Sequence, residues 1–259
     1  DNNGVAKNAF TSSIPLAQTG AFGTATGNIV SGMGAAKYYS EISNTDTQGL
    51  LGTNYTDALN LLANKDDYRY NIITAPGLIY ENGATQKTAL NSLVSNTENR
   101  GDAIVVMDLV NYNSTIALAT STAAEVDSSY VASYWPWVQI TDPDSGQLVF
   151  VPASTMIPGV YANNDRTSEA WFAPAGINRG GMGNVRQAER KLTQANRDTL
   201  YTGKVNPIAT FPGRGVVVFG QKTLQTQASA LDRVNVRRLL IELKGFISQI
   251  SDNLVFEQN

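Results

Sequence analysis

Ala103-Ile104-Val105-Val106-Met107-Asp108-Leu109-Val110 is the stretch on which the fold turns. A strand with one wet face alternates apolar and polar residues with period two. This run does not alternate, so it predicts a strand covered on both faces, as in a parallel sheet between helices. The flanks agree. Upstream, residues 86–97 place Ala89, Leu90, Leu93 and Val94 on one helical face; downstream, residues 114–125 fit a further helix. Beyond these, residues 55–64 repeat Tyr55, Ala58, Leu59, Leu61 and Leu62 at helical spacing. Residues 69–74 read as a strand stopped by Ala75-Pro76-Gly77, and residues 133–141 as another. Strands alternating with helices predict a three-layer α/β sandwich with a mostly parallel central sheet.

Tyr134 and Trp135 point to opposite faces of the strand at 133–141, so both faces carry bulk, and Trp135 and Trp137 are expected in the core. Asp142-Pro143-Asp144-Ser145-Gly146 is a turn into a strand at 147–151. Pro152 then opens a helix with Ser154 as its N-cap. Residues 184–200 read as a polar helix ending near Gly203. Residues 208–211 and 216–221 flank Pro212-Gly213-Arg214-Gly215 as a hairpin in which glycine supplies positive φ. Residues 235–251 form the most periodic helix, with Val236, Leu239, Leu240, Leu243, Phe246, Ile247 and Ile250 in one stripe. Residues 1–50, rich in Gly, Ala, Ser, Thr and Asn, read as strands and turns of an N-terminal lobe; 51–200 then form the α/β core and 201–259 open a C-terminal domain.

The composition is globular: 259 residues, 42% hydrophobic and 16% charged. No apolar run approaches the ~20 residues of a membrane span. Cys and His are both absent. That removes disulfides, thiolate nucleophiles and zinc–thiolate sites, together with the commonest general base and transition-metal ligand. The expectation is a structural protein without enzyme activity, cofactor or metal. The net charge of −3 conceals a polarity: residues 1–178 hold 7 basic and 16 acidic side chains, residues 179–244 hold 12 and 4. The basic residues form no compact tract and no aromatic stacking platform, which favours docking between identical subunits over nucleic acid. Arg186, Arg190 and Arg197 on the expected polar helix are the candidate subunit contacts. Arg237 and Arg238 either pair within the chain, with Asp232 or Glu242, or reach across a subunit boundary.

Three further patterns have bland alternatives. Gly180-Gly181-Met182-Gly183 could cradle a phosphate, but it lacks the Lys-Ser/Thr ending of a P-loop and reads better as a flexible loop. Asp102, Asp142 and Asp144 lack the spacing of a calcium loop. Ser154 could serve as the nucleophile of an α/β hydrolase-like enzyme, yet no His exists to activate it. A surface adhesin or S-layer-like protein is the other rival, suggested by the Asn/Thr/Gly-rich N-terminus.

Two blocks of residues go beyond these patterns. Tyr134-Trp135-Pro136-Trp137, then Pro152, Ser154, Gly159, Val160, Ala162 and Asp165, then Ala173-Pro174-Ala175-Gly176 occur in order. Downstream come Asn206-Pro207-Ile208, Phe219-Gly220-Gln221-Lys222-Thr223-Leu224 and Val234-Asn235-Val236-Arg237-Arg238-Leu239. The series resembles the contractile tail sheath proteins of myophages and related injection machines, with Phe219 where Trp is usual and Lys222 where Arg is usual. The resemblance implies a subtilisin-like core topology without a catalytic triad. It also implies a subunit that polymerises as stacked six-fold rings around a tail tube and contracts to drive the tube through the host envelope. Its partners would be identical subunits, joined partly by terminal-strand augmentation, the tail tube protein and the baseplate, with no nucleic acid and no direct membrane insertion. The place of action would be the virion tail, after assembly in the host cytoplasm. The chain opens at Asp1 without Met and closes within the family's C-terminal region, so a proteolysed or truncated fragment, monomeric or weakly associating, is expected.

Overall fold

The computed structural model describes residues 52–143 and 146–255; the expected lobe at 1–50 and Asp144 lie outside them. In chain order the elements are α1 (Gly52–Leu62), β1 (Ile72–Ile79), α2 (Ala84–Arg100), β2 (Ile104–Asp108), α3 (Ile116–Ala123) and β3 (Val131–Trp135). Then follow β4 (Val138–Thr141), β5 (Leu148–Val151), a 3-10 turn (Ala153–Thr155), α4 (Ile157–Thr167) and β6 (Val185–Ala188). The rest are α5 (Gln194–Thr202), β7 (Asn206–Phe211), β8 (Gly215–Val218) and α6 (Val234–Ser251).

β2 is buried at all five positions, and the sheet order β1-β2-β3-β7-β8 shows why. It lies between two parallel neighbours, and β7 continues the parallel set beyond β3. Only β8 runs antiparallel, as the hairpin partner of β7. Alternate residues serve two separate cores. Val105, Met107, Val131 and Trp135 pack with Leu90 and Leu93 of α2, Ala119 of α3 and Leu200 of α5. Ile104, Val106, Ala132 and Tyr134 pack on the other face with Ile157, Val160 and Tyr161 of α4 and with Val234 and Ile241 of α6. Each such large apolar side chain contributes about 1.5–3 kcal/mol relative to exposure. The result is a mixed α/β fold with a mostly parallel sheet, to which a small antiparallel sheet, β5-β4-β6, is added.

Several expectations need correction. β1 does not stop at Pro76 but runs through it to Ile79, with a register irregularity between Thr74 and Ile79. Proline is tolerated there because β1 pairs on one side only. The single strand expected at 133–141 is two. Pro136, joined to Trp135 by a cis peptide bond, has no N–H to give a ladder, and the chain leaves the large sheet for the small one. The polar helix expected at 184–200 is also divided. Residues Val185–Ala188 pair with β4, and Thr193 starts α5 by accepting the Asn196 amide on its side chain. Tertiary pairing overrides local helix propensity here.

Ser154 is not an N-cap either: it lies inside the 3-10 turn, 1% exposed. Gly180–Gly183 is no loose loop. The Val218 amide donates to Gly180 O at 2.8 Å and the Met182 amide to Val216 O at 3.0 Å, so the segment covers the outer edge of β8. Gly180 is obligatory, since a Cβ there would lie 2.5 Å from Val218 O. The hairpin turn matches expectation, with Gly213 and Gly215 at φ 72° and 73°.

Candidate functional site

α4 and α6 lie against the same core, and the polar residues on them close a network. Arg238 of α6 donates to both carboxylate oxygens of Asp165 on α4, at 2.8 and 2.5 Å. Its guanidinium also lies 4.8 Å from the Tyr161 ring centroid. The Tyr161 hydroxyl is 2.6 Å from that of Tyr134 on β3. Burial pushes the Tyr161 phenol up to about 12 and that of Tyr134 well above its ordinary value. Both hydroxyls therefore remain protonated and bonded at neutral pH.

Arg237 turns the other way. Its Nη2 donates to Ser129 Oγ, and its guanidinium sits 3.9 Å from the Tyr130 ring centroid. Arg237 and Arg238 are 5% and 3% exposed. Neither Asp232 nor Glu242 is the partner of Arg238; Asp232 pairs with Arg233 at 3.2 Å. On β7, Asn206 braces two loops: its Nδ2 donates to Ser133 O and Lys222 O, and its Oδ1 accepts the Lys222 amide at 2.6 Å.

A second buried polar pair sits at the end of β2. Ser154 donates its hydroxyl to Asp108 Oδ2 and its amide to Asp108 Oδ1 at 3.1 Å. Burial pushes the Asp108 carboxyl up to about 7, while the two Ser154 bonds pull the other way. With its hydroxyl committed to a carboxyl and closed off from solvent, Ser154 is a bracing residue of the 3-10 turn. Asp102 is bound to Arg100, and Asp142 is buried in its own turn. Among the described residues no acidic cluster could hold a metal, and no helix is long and apolar enough to cross a membrane.

The remaining candidates are on the surface but do not share one helix. Arg186 stands exposed on β6, with Nε 3.3 Å from Thr141 Oγ1. Arg190 follows that strand, bound to Glu189 at 2.6 Å and stacked 5.0 Å from the Trp135 ring centroid. Arg197 on α5 lies over Phe211 and Phe219, 5.4 and 5.6 Å from their centroids. Beside it opens a groove of about 630 Å³, lined by Tyr201, Pro207, Phe219 and the loop at 173–176. Sequence reading missed this groove. Its one trace was Phe219, a large apolar residue that stays 41% exposed after a buried strand.

The architecture is that of a mixed α/β domain whose most distinctive side chains brace its own layers. Residues 23–224 match the phage tail sheath protein central domain, and the chain belongs to that family. It is 39% identical over 140 residues to the tail sheath protein of Vibrio phage KVP40, covering 54% of this chain and 20% of that protein. To the tail sheath protein of Enterobacteria phage T4 it is 35% identical over 154 residues, covering 60% of this chain and 23% of that one. The chain thus spans about a fifth of the length of these curated relatives. Among solved structures, the sheath complex of the extracellular contractile injection system PVC, in its contracted state, is similar with a TM-score of 0.59 at 25% identity. That likeness covers 74% of this chain and 50% of that one.

Proposed function

We propose that this chain is the central part of a tail sheath subunit. It polymerises as stacked six-fold rings around the tail tube and contracts to drive the tube through the host envelope. The observation that carries this reading is the family match over residues 23–224, supported by relatives that are themselves tail sheath proteins. Partners are identical subunits, the tube protein and the baseplate; the place of action is the virion tail, after assembly in the host cytoplasm. Catalysis has no part in the reading, because the serine that could act as nucleophile is sealed against Asp108. A subtilisin-like core topology without the triad belongs to the same reading. The division of a core at 51–200 from a C-terminal domain opening at 201 is proposed within the same reading; β7 and β8, which follow residue 200, extend the sheet of β1, β2 and β3.

Subunit docking uses the surface arginines, Arg186 on β6 first, with Arg197, half-buried over Phe211 and Phe219, contributing less. Arg190 contributes less, being tied to Glu189, and Arg237 and Arg238 hold the domain in shape behind that surface. Immunogold labelling with an antibody raised against these residues tests the assignment. Gold along the whole tail shaft of the virion is expected; gold on the capsid or on the fibres alone contradicts it.

A further inference from the structure

β3 carries a polar residue on the face that packs against α2, α3 and α5. Side chains two apart on a strand share a face, so Ser133 stands between Val131 and Trp135 in an otherwise apolar row. Ser133 is 1% exposed and Trp135 2%. Among the described residues, neither the Ser133 hydroxyl nor the Trp135 indole N–H has a hydrogen-bond partner. A polar group buried without a bond forfeits those it made to water in the unfolded chain. The neighbouring tryptophan supplies the contrast: Trp137 gives its indole N–H to Val110 O at 3.0 Å.

Both residues border a cavity of about 10 Å³ at the carboxyl end of β3, just before Pro136 takes the chain into the small sheet. Val110 beyond β2, Ala119 of α3 and Val205 ahead of β7 close it from other sides. A single water needs roughly 10–15 Å³ and two to four polar partners. Cavities that stay dry in proteins are apolar throughout. This one has a serine and an indole in its wall.

We propose that this cavity binds one internal water, held by Ser133 and Trp135. The indole N–H donates to the water oxygen, and the water donates to Ser133 Oγ. Its second proton goes to Val110 O, which keeps a lone pair beyond the one that takes the Trp137 indole. A cation finds only a donor in the indole, and a polyatomic ion finds no room. The water ties β3 to the segment after β2 and fixes the plane of Trp135, against which Arg190 stacks at 5.0 Å. Such a water is part of the fold, as costly to remove as a direct bond between the same groups. The site belongs to the single domain and does not depend on assembly.

Oxygen-17 relaxation dispersion counts long-lived internal waters by their oxygen, so exchange of hydroxyl and indole protons does not enter. Ser133→Val sets a methyl where the water lies and removes its acceptor. In that variant, with the fold checked by circular dichroism, the dispersion is expected to shrink by the contribution of one water. An unchanged dispersion in the folded variant overturns the proposal. If Ser133→Val does not fold, the wild type decides. A crystal structure that resolves internal waters is expected to show one about 2.5–3.2 Å from both Ser133 Oγ and Trp135 Nε1. Ordered waters elsewhere in that interior, with none between these two atoms, overturn the proposal.

Discussion

Arg238 and Asp165, 73 positions apart, meet in a two-pronged ion pair that ties α6 to α4. The Arg238 side chain is 3% exposed and that of Asp165 30%. Removing the carboxylate leaves a nearly buried guanidinium without its counter-charge, the situation in which breaking a pair costs most. Asp165→Asn is therefore expected to lower stability by about 2–4 kcal/mol, the remaining exposure of Asp165 tempering the loss. Replacing the arginine by an apolar residue of similar length, Arg238→Met, is expected to cost less. Chemical denaturation of the three proteins checks the ranking.

Asp108 supplies a pH dependence of definite sign. Its folded-state value, about 7, lies above the ordinary 3.8. The neutral form is thus favoured by folding, and the folded chain binds the proton more tightly. This group's contribution is complete below about pH 4, declines as pH rises, and is gone above about pH 7. The span corresponds to about 4 kcal/mol at most. Between pH 5 and 8 the wild type should lose stability with a slope that Asp108→Asn flattens, as read by urea melts at stepped pH. A wild-type slope that the substitution leaves unchanged contradicts the assignment.

Trp137 is 8% exposed and donates its indole N–H to Val110 O at 3.0 Å. Trp137→Ala removes a large core volume and that bond together, a loss of about 3–5 kcal/mol. This approaches the roughly 5–15 kcal/mol total of an ordinary domain. The variant is expected to be largely unfolded or insoluble, judged by near-UV circular dichroism and solubility. A well-folded Trp137→Ala that only loses binding to a partner would mark the indole as a recognition surface.

How much of this was legible beforehand depended on whether a local pattern and the tertiary partner asked for the same thing. The run at 103–110 was decisive because burial on both faces suppresses alternation, and nothing else in the chain competes with it. Residues 184–200 misled because their polar, unbranched side chains suit a helix, whereas the pairing of Val185–Ala188 with β4 is a long-range demand that leaves no mark in the window. Ser154 carried the composition of a cap, but its bond to Asp108 spans 46 positions. The stripe on α6 marked the helix, borne out at Val234–Ser251, but not how it packs. Its first half buries Val234, Arg237, Arg238 and Ile241, while Phe246, Ile247 and Ile250 stay exposed. Among the five candidate arginines, only the fold separates those on the surface from the buried Arg237 and Arg238.

If subunits dock through their exposed charge, assembly of the natural gene product should weaken with salt, because such pairs are screened within a Debye length of about 8–10 Å. Arg186→Glu should weaken assembly while leaving the melting curve within a few degrees of wild type. Arg190 and Arg197 are left unchanged, since reversal there would set an acid beside Glu189 or Asp198 and withdraw a cation from Trp135 or from Phe211 and Phe219. Light scattering across a salt series checks both statements.

The most direct test of the sheath assignment is cryo-electron microscopy of the purified natural gene product. The account predicts tubes of stacked six-fold rings, with this α/β domain repeated at every subunit position. A protein that stays monomeric at high concentration and low salt, or that closes into a symmetric dimer, contradicts it.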